Sequence, residues 1–360
     1  MNRAIVTTGG TGGHIFPALA VARELRAMHP GLMVLFVGGL GIEGELARKD
    51  GLEFRGLPVR GVLGRGLKGA AAVCRMGLSL IKALSIVRAF KPQVVAGFGG
   101  YAGFCPVLAA RILGVPTAVH EQNSVPGVTN RILGRLVDKV LVTYPDETGA
   151  FPAGKVLLSG NPVRPEIARL ATISRTEPSR VVPKRVLVLG GSQGARAVNR
   201  VMVTAWPQLA AQGVSLWHQT GAADYDAVAP AYAGQENVRV ARFIEDMAEA
   251  YQWADLVVSR AGASTLAELA AAGKPSVLVP FPHATHDHQR TNASFLERVG
   301  AATVIDETTL TADGLAAAVL EILQDADRLQ AMGRAALGQA RPDAARMIAL
   351  ELTSLTRLAA

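Results

Sequence analysis

Two stretches, AIVTTGGTGGH at residues 4–14 and VLVLGGSQGAR at residues 186–196, set the reading of this chain. Each is a short β-branched, apolar run that passes straight into glycines and then into a longer segment of helical character. Strand, glycine turn and helix in that order make the unit from which parallel sheets are assembled. Working outward, further runs of strand length stand at 34–37, 94–98, 117–120 and 140–142, and again at 215–219, 238–241, 256–259, 276–280 and 302–305. Between 160 and 185 the pattern breaks into GNPVRPEIARLATISRTEPSRVVPKR, whose four prolines and scattered charges suit a linker. The expected fold is α/β, with two Rossmann-like doubly wound parallel-sheet domains facing across a cleft, over 1–164 and 165–340. Open sheets of this kind bind ligands outside the carboxyl ends of their strands, so function is expected there.

A chain of 360 residues is long enough for two such domains. With 49% hydrophobic and 18% charged residues it lacks the polarity of a disordered chain, and no apolar run reaches the ~18 residues of a membrane span. The apolar run in MNRAIVTTGGTGG is too short for a signal peptide, which places the expected site of action in the cytoplasm. Cys74 and Cys105 form neither a disulfide framework nor a zinc set and read as packing residues. The excess of 37 basic over 29 acidic side chains favours anionic partners: phosphates, nucleic acid or an acidic membrane surface. Aromatics make up 5% and no run interleaves them with Lys and Arg, so a nucleic-acid partner is not expected.

The first turn runs Gly9-Gly10-Thr11-Gly12-Gly13-His14, with a helix expected over 18–28. Glycines let backbone amides come close to a ligand, and a helix start adds partial positive charge, which suits a phosphate or a sugar. A turn that only packs is the other reading. The turn lacks G-x-G-x-x-G and no Gly-Lys-Ser/Thr follows it, which argues against a nicotinamide enzyme and an NTPase. The second turn, Gly190 to Arg196, adds the Ser192 hydroxyl and a cation, a set suited to pyrophosphate. The third, Arg260 to Thr265, opens a helix carrying Glu268, which either accepts ribose hydroxyls or balances the helix dipole. Gly99-Gly100-Tyr101, His120-Glu121-Gln122-Asn123, Asn161-Pro162-Val163-Arg164 and His288-Gln289 are polar clusters at expected strand ends and read as cleft lining, with a surface loop as the other reading. His283, His286 and His288 sit in a Pro-flanked stretch and read as a polar loop rather than zinc ligands, and Asp224-Tyr225-Asp226 reads as surface. No metal and no cofactor is expected. Over 65–90, Lys68, Arg75 and Lys82 recur every seven residues, a basic stripe that fits either a helix on anionic lipid or a domain helix with a solvated face.

At GGTGGH, HEQNSVPG, GNPVR, GGSQGAR and RAGASTLAELAAAGKPSVLVPFPHATHDHQRTNA, in order over residues 9–293, the sequence closely resembles the MurG family of peripheral membrane glycosyltransferases. The resemblance implies the glycosyltransferase-B fold, with a C-terminal helix at about 341–360 packed back on an acceptor-binding, membrane-facing first domain. It implies inverting transfer of N-acetylglucosamine from UDP-N-acetylglucosamine to the 4-hydroxyl of the muramyl-pentapeptide pyrophosphoryl-undecaprenol lipid (lipid I to lipid II), in peptidoglycan synthesis on the cytoplasmic face of an anionic membrane. It further implies that Thr11, Gly12, Gly13, Asn123, Arg164, Ser192, Ile244, Ala263, Ser264, Thr265, Leu266, Ala267, Glu268 and Gln289 contact the sugar nucleotide, Ile244 through its backbone. Helix-start amides and Arg164 would then meet the charge on the departing β-phosphate. His14 is the candidate base for the acceptor hydroxyl, since imidazole ordinarily titrates near neutrality, and Glu121 is the second candidate. Where the family shows adjacent glutamines this chain has His288-Gln289, after an apparent one-residue insertion. Two other functions fit the fold: a UDP-N-acetylglucosamine 2-epimerase, which uses no lipid, and a non-catalytic nucleotide-sugar sensor.

Overall fold

The computed structural model describes residues 1–10, 12–59, 68–173, 184–190 and 194–358, with the backbone alone for 68–74, 173 and 358. The chain divides into two compact units, Met1–Arg164 with Asp343–Ala360, and Pro165–Pro342.

In the first unit the strands are β1 (Arg3–Thr7), β2 (Met33–Gly38), β3 (Glu53–Gly56), β4 (Val94–Gly97), β5 (Thr117–Glu121), β6 (Lys139–Val142) and β7 (Val156–Leu158). All pair in parallel, in the order β3-β2-β1-β4-β5-β6-β7. Helices α1 (Gly12–Met28), α2 (Glu43–Lys49), α3 (Lys68–Phe90), α4 (Gly100–Ile112) and α5 (Val128–Leu136) alternate with them. Successive strand side chains point to opposite faces, so each strand feeds two cores. Val6, Val34 and Ala96 pack with Ile15, Val21 and Leu25 of α1, whereas Ile5, Leu35 and Val95 pack with Ala83 and Val87 of α3 and with Val107 of α4. Cys105, also of α4, is buried in that second core, and burial pushes its thiol up to about 11. The last helix, residues 344–358, returns to this unit and sets Ile348, Ala349, Leu352 and Leu355 into the first core.

The second unit begins with the short helices α6 (Pro165–Ala168) and α7 (Leu170–Ile173). Its strands β8 (Arg185–Leu189), β9 (Ser215–Gln219), β10 (Val238–Ala241), β11 (Leu256–Ser259), β12 (Ser276–Leu278) and β13 (Ala302–Val304) form a parallel sheet in the order β10-β9-β8-β11-β12-β13. The helices are α8 (Arg196–Ala211), α9 (Tyr225–Val228), α10 (Met247–Trp253), α11 (Ala263–Ala271), α12 (His288–Arg298), α13 (Ala312–Gln324) and α14 (Ala326–Gly338); residues 344–358 form α15 (Ala344–Leu358) of the first unit.

Both sheets reverse their order of winding once, between β1 and β4 and between β8 and β11. At such a switch point the connections leave the sheet in opposite directions and open a crevice at the strand ends. Three of the glycine-bearing turns, those after β1, β8 and β11, lie at these points, and the Gly99-Gly100 turn after β4 makes the fourth.

Candidate active site

At the first switch point, Gly9 N–H donates to Gly99 O (3.2 Å) and Gly10 N–H to Glu43 Oε1 (3.1 Å). These two amides are therefore occupied within the protein. The glycines are needed for contact: a Cβ on Gly100 would lie 1.9 Å from Gly9 O, and one on Gly9 would lie 2.7 Å from the Ala102 Cβ. Helix α1 starts at Gly12, six residues before the expected start, so Gly12 and Gly13 stand in its first turn. Thr11 lies outside the described residues.

His14 stands on the first turn of α1, half-buried, with Nδ1 2.8 Å from Gln122 Oε1. Gln122 Nε2 donates to Phe98 O (3.1 Å) and faces His120 Nδ1 (3.1 Å), and His120 Nε2 reaches Gly160 O (2.9 Å). Burial is the main cause that lowers His120 to about 4; its bond to Gly160 opposes this, and the nearby His14 adds to it. The polar cluster at the end of β5 is thus a brace, not a lining: His120, Glu121 and Gln122 are all buried, and only Asn123 is partly open. The Glu121 carboxylate accepts from Asn123 N (3.0 Å) and Nδ2 (3.3 Å), Gly127 N (3.1 Å) and Asn130 Nδ2 (2.9 Å). Both its oxygens are committed to shaping the loop after β5, so the geometry gives it a positioning role and leaves His14 as the base candidate. The Arg164 guanidinium lies 5.4 Å from the centre of the Phe16 ring, which holds it beside the first turns of α1.

At the second switch point Gly190 and Gly194 frame the turn after β8, and Ser192 falls outside the described residues. Gly194 has φ +79°, and a Cβ there would lie 2.9 Å from Thr220 O. Asp224, expected on the surface, is instead buried and holds this region together. It accepts from Asn199 Nδ2 (3.0 Å) and Arg196 Nε (3.2 Å), and it lies on the Gly194 side of Thr220. Asp226 is exposed and pairs with Arg242 (2.7 Å). Sequence reading missed Asp224 because only the fold brings it to Asn199, 25 positions away.

Helix α11 opens after its N-cap Gly262, and Ala263, Ser264 and Thr265 form its first turn, the part of a helix whose partial positive charge suits an anion. Leu266 does not belong with them. Its side chain is in the core and its N–H bonds Gly262 O (3.0 Å). Ala267 and Glu268 are half-buried, and Tyr251 Oη donates to Glu268 Oε2 (3.0 Å), orienting the carboxylate. Ile244 is buried and its N–H donates to Gln219 Oε1 (3.1 Å). Gln289 Oε1 accepts from Phe281 N (3.0 Å), which leaves its NH2 group as the donor end of the side chain, and His288 Nδ1 donates to Thr285 O (2.7 Å). Just before them His286 and Asp287 both adopt left-handed backbone angles, with φ of 54° and 53°, at the apparent insertion. Among the described residues no group of three His, Cys, Asp or Glu side chains is placed to hold a metal.

On α3 the Lys68 side chain lies outside the described set, while Arg75, Leu78, Ile81 and Lys82 are exposed. Lys82 Nζ donates to Gly56 O (2.9 Å). Among the described residues no helix is long and apolar enough to cross a membrane.

The glycosyltransferase family 28 N-terminal domain matches residues 4–142, and the C-terminal domain of the same family matches residues 185–348. A relative from Solidesulfovibrio magneticus, named "UDP-N-acetylglucosamine--N-acetylmuramyl-(pentapeptide) pyrophosphoryl-undecaprenol N-acetylglucosamine transferase", is 55% identical over 99% of this chain and 98% of its own length. The crystal structure of Acinetobacter baumannii MurG superposes with a TM-score of 0.80 at 33% identity, covering 98% of this chain and all (100%) of that one. The chain belongs to the MurG group of glycosyltransferase family 28. Its fold is accordingly of the glycosyltransferase-B type, and the protein is a glycosyltransferase. A UDP-N-acetylglucosamine 2-epimerase structure also superposes, with a TM-score of 0.68 over 98% of this chain and 96% of that one, but at 14% identity it shares the fold alone. For this family 28 chain the epimerase reading is not favoured.

Proposed function

We propose that this family 28 enzyme transfers N-acetylglucosamine from UDP-N-acetylglucosamine to the 4-hydroxyl of the muramyl-pentapeptide pyrophosphoryl-undecaprenol lipid. The observation that carries this reading is the pair of glycine turns at the two switch points, one with an imidazole beside it, in a chain similar over its full length to a named transferase. The acceptor oxygen attacks the anomeric carbon from the side opposite UDP. The new C–O bond forms as the bond to the β-phosphate breaks, its electron pair leaves with UDP, and the hydroxyl proton passes to His14. Charge growing on the phosphate is met by the first-turn amides of α11, by the turn that contains Ser192, and by Arg164. Thr11, Gly12, Gly13, Asn123, the Ile244 backbone, Glu268 and Gln289 bind the nucleotide and sugar. The second unit carries most of the UDP-sugar contacts, and the first binds the acceptor.

A polyprenyl acceptor stays in the bilayer, so the enzyme works as a peripheral protein on the cytoplasmic face, in cell-wall biogenesis and thus in cell shape and division. Leu78 and Ile81, 63% and 65% exposed, stand beside Arg75 and Lys82 on α3, an apolar strip with a basic margin that suits an anionic leaflet. Replacing Lys68, Arg75 and Lys82 with Glu is expected to abolish binding to anionic vesicles while UDP binding persists; unchanged vesicle binding refutes this docking face.

The transfer itself is tested with radiolabelled UDP-N-acetylglucosamine and a short-chain analogue of the acceptor lipid, with and without chelator. Labelled lipid in both is the expected result. Turnover of the sugar nucleotide without lipid, or UDP binding with no transfer, overturns it.

A further inference from the structure

We propose that Gln122 is a positioning residue that fixes His14 in the Nδ1–H tautomer and so presents Nε2 as the proton-accepting atom. This rests on the reading of His14 as the base. The argument follows from which groups can donate and which can only accept. Gly160 O is an acceptor, so the proton on His120 sits on Nε2, 2.9 Å away. His120 is fully buried and stays neutral above about pH 4, because burial disfavours its charged form, which leaves Nδ1 as a bare lone pair. Gln122 Nε2 donates one proton to that lone pair and the other to Phe98 O, each at 3.1 Å. The carboxamide cannot turn over without setting its oxygen against the Phe98 carbonyl and against the His120 lone pair. Gln122 Oε1 is thereby aimed at His14 Nδ1 at 2.8 Å and accepts its proton. In neutral His14 the remaining lone pair is then on Nε2.

The pair is also boxed in sterically. Gly99, with φ +83°, passes so close that a Cβ would lie 3.2 Å from His14 Nδ1 and 3.6 Å from Gln122 Oε1. The charged and titratable groups around the pair are His120 behind Gln122, Glu43 on the Gly10 amide, Glu121 held by its own loop, and Arg164 over Phe16. A neutral amide on Nδ1 orders the ring without stabilising the imidazolium as a carboxylate would.

The test compares Gln122→Met, which deletes the acceptor, with Gln122→Glu, which keeps one. Gln122→Met is expected to lower kcat about 10²-fold, the usual worth of a positioned general base, with the KM for UDP-N-acetylglucosamine little changed. Gln122→Glu is expected to recover much of that loss and to move the acid limb of the pH–rate profile to higher pH, because the carboxylate favours the imidazolium. Wild-type kcat in Gln122→Met, or equal losses in both variants with an unshifted profile, overturns the proposal. Nitrogen-15 NMR of wild-type His14 tests it independently of variant folding. A pyridine-type signal on Nε2 is expected, and a pyrrole-type signal there refutes the tautomer. If the wild type makes no labelled lipid, the functional reading fails while this NMR result still decides the tautomer.

Discussion

The two switch points share a backbone plan and differ in what stands behind it. In the first unit a buried histidine, His120, is tied by a carboxamide, Gln122, to a second imidazole beside the turn. In the second unit a buried histidine, His218, donates from Nε2 to Asn199 Oδ1 (3.0 Å), and Asn199 in turn holds Asp224, with Arg196 on its far side. Histidine, then amide, then turn: the same succession ends in a proton acceptor in one unit and in a braced cation in the other. On the proposed function, one sheet architecture would serve proton transfer in one unit and anion binding in the other, with the division made by a few side chains near the strand ends.

The sharpest way to break this comparison is to remove the one group without a counterpart. His14→Ala is expected to lower kcat by 10²- to 10⁴-fold, the range for a general base, and to leave UDP affinity intact in calorimetry. A variant that keeps its turnover would make the first turn merely another binding loop.

Acid should treat the two units alike. His120 and His218 are each lowered from 6.5 to about 4, in both cases chiefly by burial. As pH falls from about 6.5 to about 4 the unfolded chain takes up protons that the folded histidines refuse. Stability therefore falls across that window, by about 3 kcal/mol per histidine once pH is below both values. Urea melts between pH 7 and 4 test this, and His120→Asn should flatten the dependence of the first unit only.

Gly194→Ala places a Cβ 2.9 Å from Thr220 O at a positive φ, and is expected to cost roughly 2 kcal/mol with a matching drop in UDP affinity. The smallest effect belongs to Arg196→Met. Its side chain is 85% exposed, so the melting temperature should stay constant while UDP binding weakens a few-fold. Equal damage to both would mean that the Arg196–Asp224 pair is chiefly structural.

Much of the fold was legible because strands buried on both faces leave continuous apolar runs, as in VLVL of β8. The two strands that escaped, β3 and β7, are the outer ones of the first sheet. Glu53-Phe54-Arg55-Gly56 alternates exposed and half-buried, and Val156–Leu158 is only three residues long, so neither carries that signature. The start of α1 was missed because glycine disfavours helix, and tertiary packing overrode the propensity: Gly12 is buried. Turn glycines and His14 could be read from local spacing. Gln122, Glu43, Asn199 and Asp224 could not, since the pairs Gln122–His14, Glu43–Gly10, Asn199–His218 and Asn199–Asp224 are separated by 19 to 108 positions and only the winding of the sheets brings them together. The one hint was four polar residues in a row at the end of a buried strand.

The position of α15 bears on how this protein is made. Ile348, Leu352 and Leu355, with Ala349, complete a core whose other buried members are translated before all of residues 165–342. Burial of three such side chains is worth about 1.5–3 kcal/mol each. The unit whose sheet is translated before the second unit is thus sealed only after it, and until then it presents an open apolar face along α1. A nascent chain stalled near residue 342 should be a client for chaperones, and premature stop codons anywhere in the final helix should destabilise the half of the molecule farthest from them in sequence.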